Sequence, residues 1–415
     1  LKHQAPRGTE DVLPAQAHRW RFVERAFAET VALYGYGEIR TPTFEDYELF
    51  ARSSGDTSDI VSKEMYDFVD KGGRHVALRP EGTAPVMRAY IEHSLGEGGL
   101  PVRLWYCAPM FRYGRPQKGR LREHHQVGLE IVGSDSPLAE VEVASIIQRF
   151  YGRLGIHGLV FRLNNIGRAD DRARYGAELL AYLSSWLSEL DAEARARAQK
   201  NPLRLFDSKD PAVHEALQGA PSLAGFLSPE SAAHFEAVCE GMVEAGLEFT
   251  VDPSAVRGLD YYTDTVFEVQ SSALGAQSAL CGGGRYDGLV GALGGKDVPS
   301  VGCGIGIERA LLALEAAGTE VPEDRLDVYL VAAEGAEEHV RGRARWLREN
   351  GVSCLHELAP RTMKAQFKSA DRSRARFAAV YGPDEIAAGT VTLKDLATGE
   401  QRTLPDAVLL DEVRR

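Results

Sequence analysis

Cysteine is scarce and scattered. Cys107, Cys239, Cys281, Cys303 and Cys354 are odd in number and contain no Cys-x-x-Cys pair. That argues against a disulfide framework or a zinc site and suits a reducing compartment. No apolar run reaches the 18 residues that a membrane-crossing helix needs. The opening stretch LKHQAPRGTED lacks the apolar run of a secretion signal, so a cytoplasmic protein with no membrane attachment is expected. Positive charge is in the minority, with 48 Lys and Arg against 60 Asp and Glu. A net charge of −12 argues against indiscriminate coating of nucleic acid. Local basic patches could still hold phosphates. Internal repeats and low-complexity tracts are also missing.

What is present is a chain of 415 residues, longer than one hydrophobic core usually supports, so two or three domains are expected. Residues 14–34 predict a helix: Pro14 suits its first turn, Trp20, Val23, Phe27 and Val31 recur at helical spacing, and Gly35 stops it. RTPTFEDYELF follows as an extended segment in which Pro42 forbids a central ladder position. VRLWYCAPMFR and HHQVGLEIVG predict two strands of a long-looped antiparallel hairpin over 102–133. Composition shifts near residue 168, and 168–250 is Ala-, Glu-, Leu- and Arg-rich with helical spacing, a helical insertion. Strand chemistry returns in YYTDTVFEVQ and QSALCGGGRY, and a helix runs from about Ile307 to Gly318. GTEVPEDRLD (318–327) is the best linker. Beyond it, strands and helices alternate in a small α/β domain over 326–415.

Five stretches carry chemistry. FRYGRPQKGRLREHH (111–125) concentrates five cationic side chains around a Gly and a Pro. It is a solvated loop, a polyanion clamp or part of an active site. Arg112 follows an apolar strand, at the rim of a sheet, and arginine suits bidentate phosphate binding. Gln126 and Glu130, four apart on the partner strand, share one face. In LRPEGTAP (78–85), Glu81 sits in a rigid turn that could meet a cationic substrate group; a helix cap by Thr83 beside a solvent-facing Glu81 is the alternative. VRGLDYYT (256–263) sets Arg257 at a strand entrance, with Tyr261 and Tyr262 expected on opposite faces. The three glycines of LCGGGRYDG (280–288) make room for a ligand lying flat on the strand, or for a bulge. VGCGIGIERALLAL (301–314) superficially matches a dinucleotide fingerprint, but no βαβ unit with a suitably placed acid follows. A backbone packed against a ligand, with Arg309 over its face, fits better.

Taken in this order, the stretches resemble the three motifs of the class II aminoacyl-tRNA synthetases. YGYGEIRTPTFEDYELF resembles the first motif, FRYGRPQKGRLREHHQVGLE the second and GCGIGIERALL the third. VRGLDYYT and LCGGGRYDGLV resemble the two segments specific to the histidyl family, and NPLRLFDSKDP its insertion. The resemblance implies an α+β/α/β multidomain fold: an antiparallel sheet flanked by helices, a helical insertion and a small C-terminal anticodon-binding domain. Residues 1–167 and 251–319 would form the catalytic domain. It implies ATP and L-histidine as substrates, histidyl-adenylate and pyrophosphate as products of the first step, and transfer to the 3′ end of tRNA(His) in the second. Mg²⁺ on the phosphates and a homodimer built around Pro42 also follow, with no protein side chains assigned to the metal.

By the same resemblance, Arg112 and Arg257 grip the α-phosphate as the catalytic arginines, and Arg309 stacks on adenine. Glu81, Thr83 and Gln126 receive the amino-acid backbone. Glu130 and Tyr262 bind the imidazole edge, with Tyr261, Tyr286 and Arg257 completing the histidine site. Arg115, Gln117, Lys118 and Arg120 meet the tRNA acceptor end, and RTMKAQFKSADRSRAR (361–376) forms an RNA stripe. Two departures stand out. The family usually has Glu where Gly114 stands, meeting the adenine amino group, and Phe where His124 stands, covering adenine. Gly114 is expected to contribute backbone only, with Glu123 or water compensating. The rival within the same fold is the synthetase-like regulatory subunit of ATP phosphoribosyltransferase, disfavoured by the intact RGLDYY and residues 326–415. A synthetase-like regulatory RNA-binding module would lack Arg112 and Arg309.

Overall fold

Helix α1 (Pro14–Ala32) starts at its proline, buries Val23, Ala26, Phe27, Thr30 and Val31, and is followed by Gly35 at φ 77°. The coordinates are a computed structural model. They describe residues 3–414 except 56, 57, 59, 116–118, 120, 187–189, 191–194, 196, 197, 199–201, 208, 209, 256–258 and 272–278. The described chain forms two units, residues 1–321 and 322–415.

After strand β1 (Gly37–Glu38), the segment expected to be extended is only partly so. Strand β2 covers Phe44–Asp46 and helix α2 takes over at Tyr47–Ser54. The reason is local: the Asp46 carboxylate accepts from Glu48 N at 2.9 Å, capping a helix that buries Leu49, Phe50 and Ala51. Strands β3 (Tyr66–Val69) and β4 (His75–Leu78) join β2 in a small sheet of order β2-β4-β3, and α3 (Thr83–Glu92) follows. The predicted hairpin is present as β5 (Val102–Phe111) and β6 (Glu123–Val132), antiparallel from Val102↔Val132 to Phe111↔Glu123.

Among the described residues, the remaining α-helices and strands of this unit are α4 (Leu138–Arg153), β7 (Leu159–Asn165), α5 (Ala169–Leu183), α6 (Pro211–Leu217), α7 (Pro229–Glu244), β8 (Phe249–Val251), β9 (Thr263–Ser271), β10 (Ala279–Arg285), α8 (Leu289–Ala292), β11 (Ser300–Gly306) and α9 (Ile307–Ala316). Eight strands form one sheet of order β1-β5-β6-β11-β10-β9-β7-β8, parallel only at β1/β5 and β7/β8.

Alternation gives this sheet two unlike faces. Val127, Leu129 and Ile131 of β6, with Val301, Cys303 and Ile305 of β11, pack into one core with α1, α4 and α9. The intervening residues point the other way. There the register aligns Tyr106, Gly128, Gly304 and Gly282 across four strands, with Leu104, Glu130, Gly302 and Gly284 in the next row. The second face is therefore largely bare backbone, bordered by Tyr106 and Glu130.

The second unit has its own core, including Val328, Leu330, Leu347, Ala379 and Tyr381. Its sheet runs β13-β12-β14-β15-β16, from β12 (Val328–Ala332), β13 (Cys354–Leu355), β14 (Phe377–Tyr381), β15 (Thr390–Asp395) and β16 (Gln401–Pro405). Lys364, Lys368 and Arg372 are exposed along the helix Met363–Arg372, while Gln366 and Ala370 are buried.

Candidate active site

The inner end of the glycine face is built on two buried carboxylates. Glu81 accepts from Thr83 N at 2.6 Å and Ala84 N at 2.9 Å, so it caps α3 itself. It sits in the turn before α3, as expected, but is only 4% exposed, so the alternative of a solvent-facing carboxylate does not describe it. Burial pushes its carboxyl above the usual range, with the neighbouring backbone N–H groups and Arg112 opposing. Glu130 has no exposed surface. Thr83 Oγ1 donates to its Oε1 at 2.8 Å, and the Tyr286 hydroxyl donates to Oε2. Burial raises Glu130 to about 8 in spite of those two donors. Its carboxylate lies over Gly302 on the neighbouring strand, where any Cβ would overlap Oε2. Gln126 lies on the same face, 3.6 Å from where a Gly304 Cβ would be, so the bed there stays open.

The two tyrosines expected on opposite faces lie together instead. Strand β9 begins only at Thr263, so Tyr261 and Tyr262 precede the alternating ladder. Their rings are 4.7 Å apart, and the Tyr286 ring is 5.7 Å from Tyr261 and 6.5 Å from Tyr262. All three are buried. Next to Tyr286 in the chain, Arg285 is buried and its guanidinium donates to both Glu140 oxygens at 2.8 and 2.6 Å.

Sequence reasoning missed Tyr106. Its ring is wedged so that a Cβ on either Gly82 or Gly128 would overlap it, and it is electrostatically close to Glu130 and Glu81. The available signal was its hairpin partner, since Tyr106 pairs with Gly128. Arg79 was missed too. Nearly buried, it donates to Pro109 O, Thr41 O and Pro42 O at 2.8, 2.8 and 3.1 Å, tying the first motif to the end of β5.

The outer rim is looser. Arg112 leaves β5 and donates through Nε to Pro80 O at 2.7 Å, which sets the guanidinium beside Glu81. Arg112, Gly114, Arg115 and His124 line a small cavity with Glu64 and Leu121. Arg309, in the first turn of α9, passes within 3.4 Å of a Gly306 Cβ position and 3.7 Å of that of Gly119, which lines the same cavity. Its Nη1 donates to Ala279 O at 3.3 Å. Glu123 does not join this group. It alternates with His124 along β6 and lines an adjoining cavity with Trp20, His125 and Glu308, which shares Gly119 and Leu121 with the first. His125 is fixed there by Glu308, whose carboxylate accepts from its backbone N at 2.9 Å and lies 3.1 Å from Nδ1. That bond raises the imidazole above its ordinary value.

Arg257, Gln117, Lys118 and Arg120 lie outside the described residues. Among the described residues, no group of three or more His, Cys, Asp or Glu side chains converges to hold a metal. No helix among them is long and apolar enough to cross a membrane.

The site therefore offers a buried polar cluster with two carboxylates and several phenols, a strip of bare sheet, and arginines toward the rim. A family model described as histidyl-tRNA synthetase matches residues 8–310, and an anticodon-binding-domain model matches 327–415. The chain is 48% identical over 412 residues to the histidine–tRNA ligase of Moorella thermoacetica, covering 99% of this chain and 97% of that one. It is 47% identical to the Rubrobacter xylanophilus histidine–tRNA ligase over 97% of this chain and 96% of that one. The crystal structure of an apo S. aureus histidyl-tRNA synthetase matches at 35% identity with a TM-score of 0.85, covering both chains fully.

Proposed function

The chain belongs to the histidyl-tRNA synthetase family, and we propose that it acts as a histidine–tRNA ligase with the roles that follow. The observation that carries this reading is the buried Glu130, braced by Thr83 and Tyr286, at the closed end of a strip of glycine backbone leading to Arg112. L-histidine occupies the closed end. Glu130 and Tyr262 meet the imidazole edge, Tyr261 and Tyr286 wall it, and Glu81, Thr83 and Gln126 receive the ammonium and carboxylate. A pocket built to hydrogen-bond a polar substrate edge can reject analogues lacking it by about 10⁴–10⁵, enough without editing.

ATP lies along the strip, with its adenine toward His124 and Arg309. The histidine carboxylate attacks the α-phosphate, forming the acyl-phosphate bond, and pyrophosphate leaves. Two anions meet in that step, so charge grows on the phosphoryl oxygens. Arg112 and Arg257 neutralise it, and a preorganised donor of this kind is worth about 10²–10³ in rate. Mg²⁺ enters as part of the ATP substrate, held by the phosphates, and lowers the charge repulsion. The aminoacyl group then passes to a ribose hydroxyl at the 3′ end of tRNA(His). Arg115, Gln117, Lys118 and Arg120 guide that end, while the second unit reads the anticodon. A homodimer in the cytoplasm completes the reading.

The rival regulatory-subunit function is not favoured, because the curated ligases match along the whole chain and an anticodon-binding model covers 327–415. Histidine-dependent exchange of pyrophosphate into ATP, followed by charging of tRNA(His), is the test. Purified protein that shows no exchange would sink the ligase reading.

A further inference from the structure

Gly114 stands where the resemblance expects a carboxylate for the adenine amino group, and Glu123 lines a different cavity. We propose that Glu64 supplies the missing carboxylate and accepts a hydrogen bond from the 6-amino group of ATP, an inference that rests on the ligase reading.

Glu64 ends a single π-helical turn, Ile60–Glu64, just before β3. Its own carbonyl accepts from Tyr113 N at 2.6 Å, which pins this segment to the rim beside Gly114. Its Oε1 lies 3.6 Å from where a Cβ on residue 114 would be, so a carboxylate already reaches the space that a longer side chain at 114 would enter. The same cavity is lined by Arg112 and His124, the side chains assigned above to phosphate and adenine. Glu64 is half-buried, yet no described residue pairs with its carboxylate. A partly desolvated acceptor with no donor among the described residues suits a donor brought by the ligand.

The glycine also has a reason. A glutamate at 114 would put a second carboxylate against Glu64, and like charges in one partly buried site repel. Glycine at 114 and glutamate at 64 are thus one arrangement. The chemistry selects a 6-amino purine: a carboxylate accepts from the adenine N–H and repels the 6-oxo group of a hypoxanthine nucleotide.

The test compares ATP with inosine triphosphate in histidine-dependent pyrophosphate exchange, using wild-type protein and Glu64→Gln. The carboxamide can donate to a 6-oxo group, so the ATP-over-inosine preference is expected to fall by about a hundredfold. The KM for histidine should stay within about twofold, since Glu64 is not part of that pocket. Glu64→Asp, which withdraws the carboxylate by one methylene, should fall between the two. Adding Gly114→Glu to Glu64→Gln should restore the preference. An unchanged preference in Glu64→Gln would overturn the proposal, as would equal losses toward ATP, inosine triphosphate and histidine, the mark of a merely structural role. Wild-type exchange with no effect at Glu64 rejects only this inference. Absence of wild-type exchange rejects the ligase reading and this inference with it.

Discussion

The two ends of the same cleft are built on opposite terms. At the inner end the buried carboxylates are held by several donors: Glu130 by Thr83 and Tyr286, Glu81 by two backbone N–H groups. At the rim, Gly114 leaves open space, and the Glu64 carboxylate beside it has no described partner. The difference follows from what each end recognises. A small amino acid must be told from similar ones by hydrogen bonds in a dry pocket, where an unpaired group is costly. A nucleotide offers a large ring and a string of charges, so a flat bed and a few cations suffice.

The sharpest way to break this contrast is Glu130→Ala. It should reduce kcat/KM for histidine by about 10⁴ or more. Pyrophosphate exchange at graded histidine concentrations measures it. A loss below tenfold would show that the inner pocket is not what selects the amino acid.

Gly128→Ala comes next. The added methyl overlaps a Tyr106 ring already wedged against Gly82, so overpacking should cost about 1–3 kcal/mol of stability. Thermal unfolding together with histidine KM reads both consequences.

The pH dependence is smaller and isolates one group. Glu130 is raised to about 8 in the folded protein, against an unfolded value near 4.3. The folded state therefore binds the extra proton between those limits. This contribution to stability is complete below the unfolded value and is lost as pH rises through the folded one. Wild type should lose Tm relative to Glu130→Gln as pH goes from 5 to 8. A difference that stays flat or reverses would mean Glu130 is ionised in the empty pocket.

Gly114→Ala should do least. The nearest atom to its new methyl is Glu64 Oε1 at 3.6 Å, an ordinary contact, so stability should change by no more than about 0.5 kcal/mol. If it matched Gly128→Ala in cost, the rim would be as tightly built as the inner pocket.

Much of this was legible from local pattern. The β5–β6 hairpin, α1 and the strand-to-helix passage into α9 follow from alternation, helical spacing and glycine stops, which depend on near neighbours. The shared face of Gln126 and Glu130 needed only the two-residue period of a strand. Errors arose where one residue changed the local rule. Asp46 turned an extended segment into a helix by capping it, and a late start to β9 put Tyr261 and Tyr262 on one side.

By itself, then, the sequence determined the strand and helix periods, the order of the motif-bearing stretches, and which residue types were available for chemistry. Only the tertiary structure decided that Tyr106 packs between two distant glycines, that Glu81 caps α3 beside Arg112, and that Glu64 rather than Glu123 neighbours Gly114. The physical reason is that strand register and side-chain burial join residues far apart in the chain, and no local period carries that information.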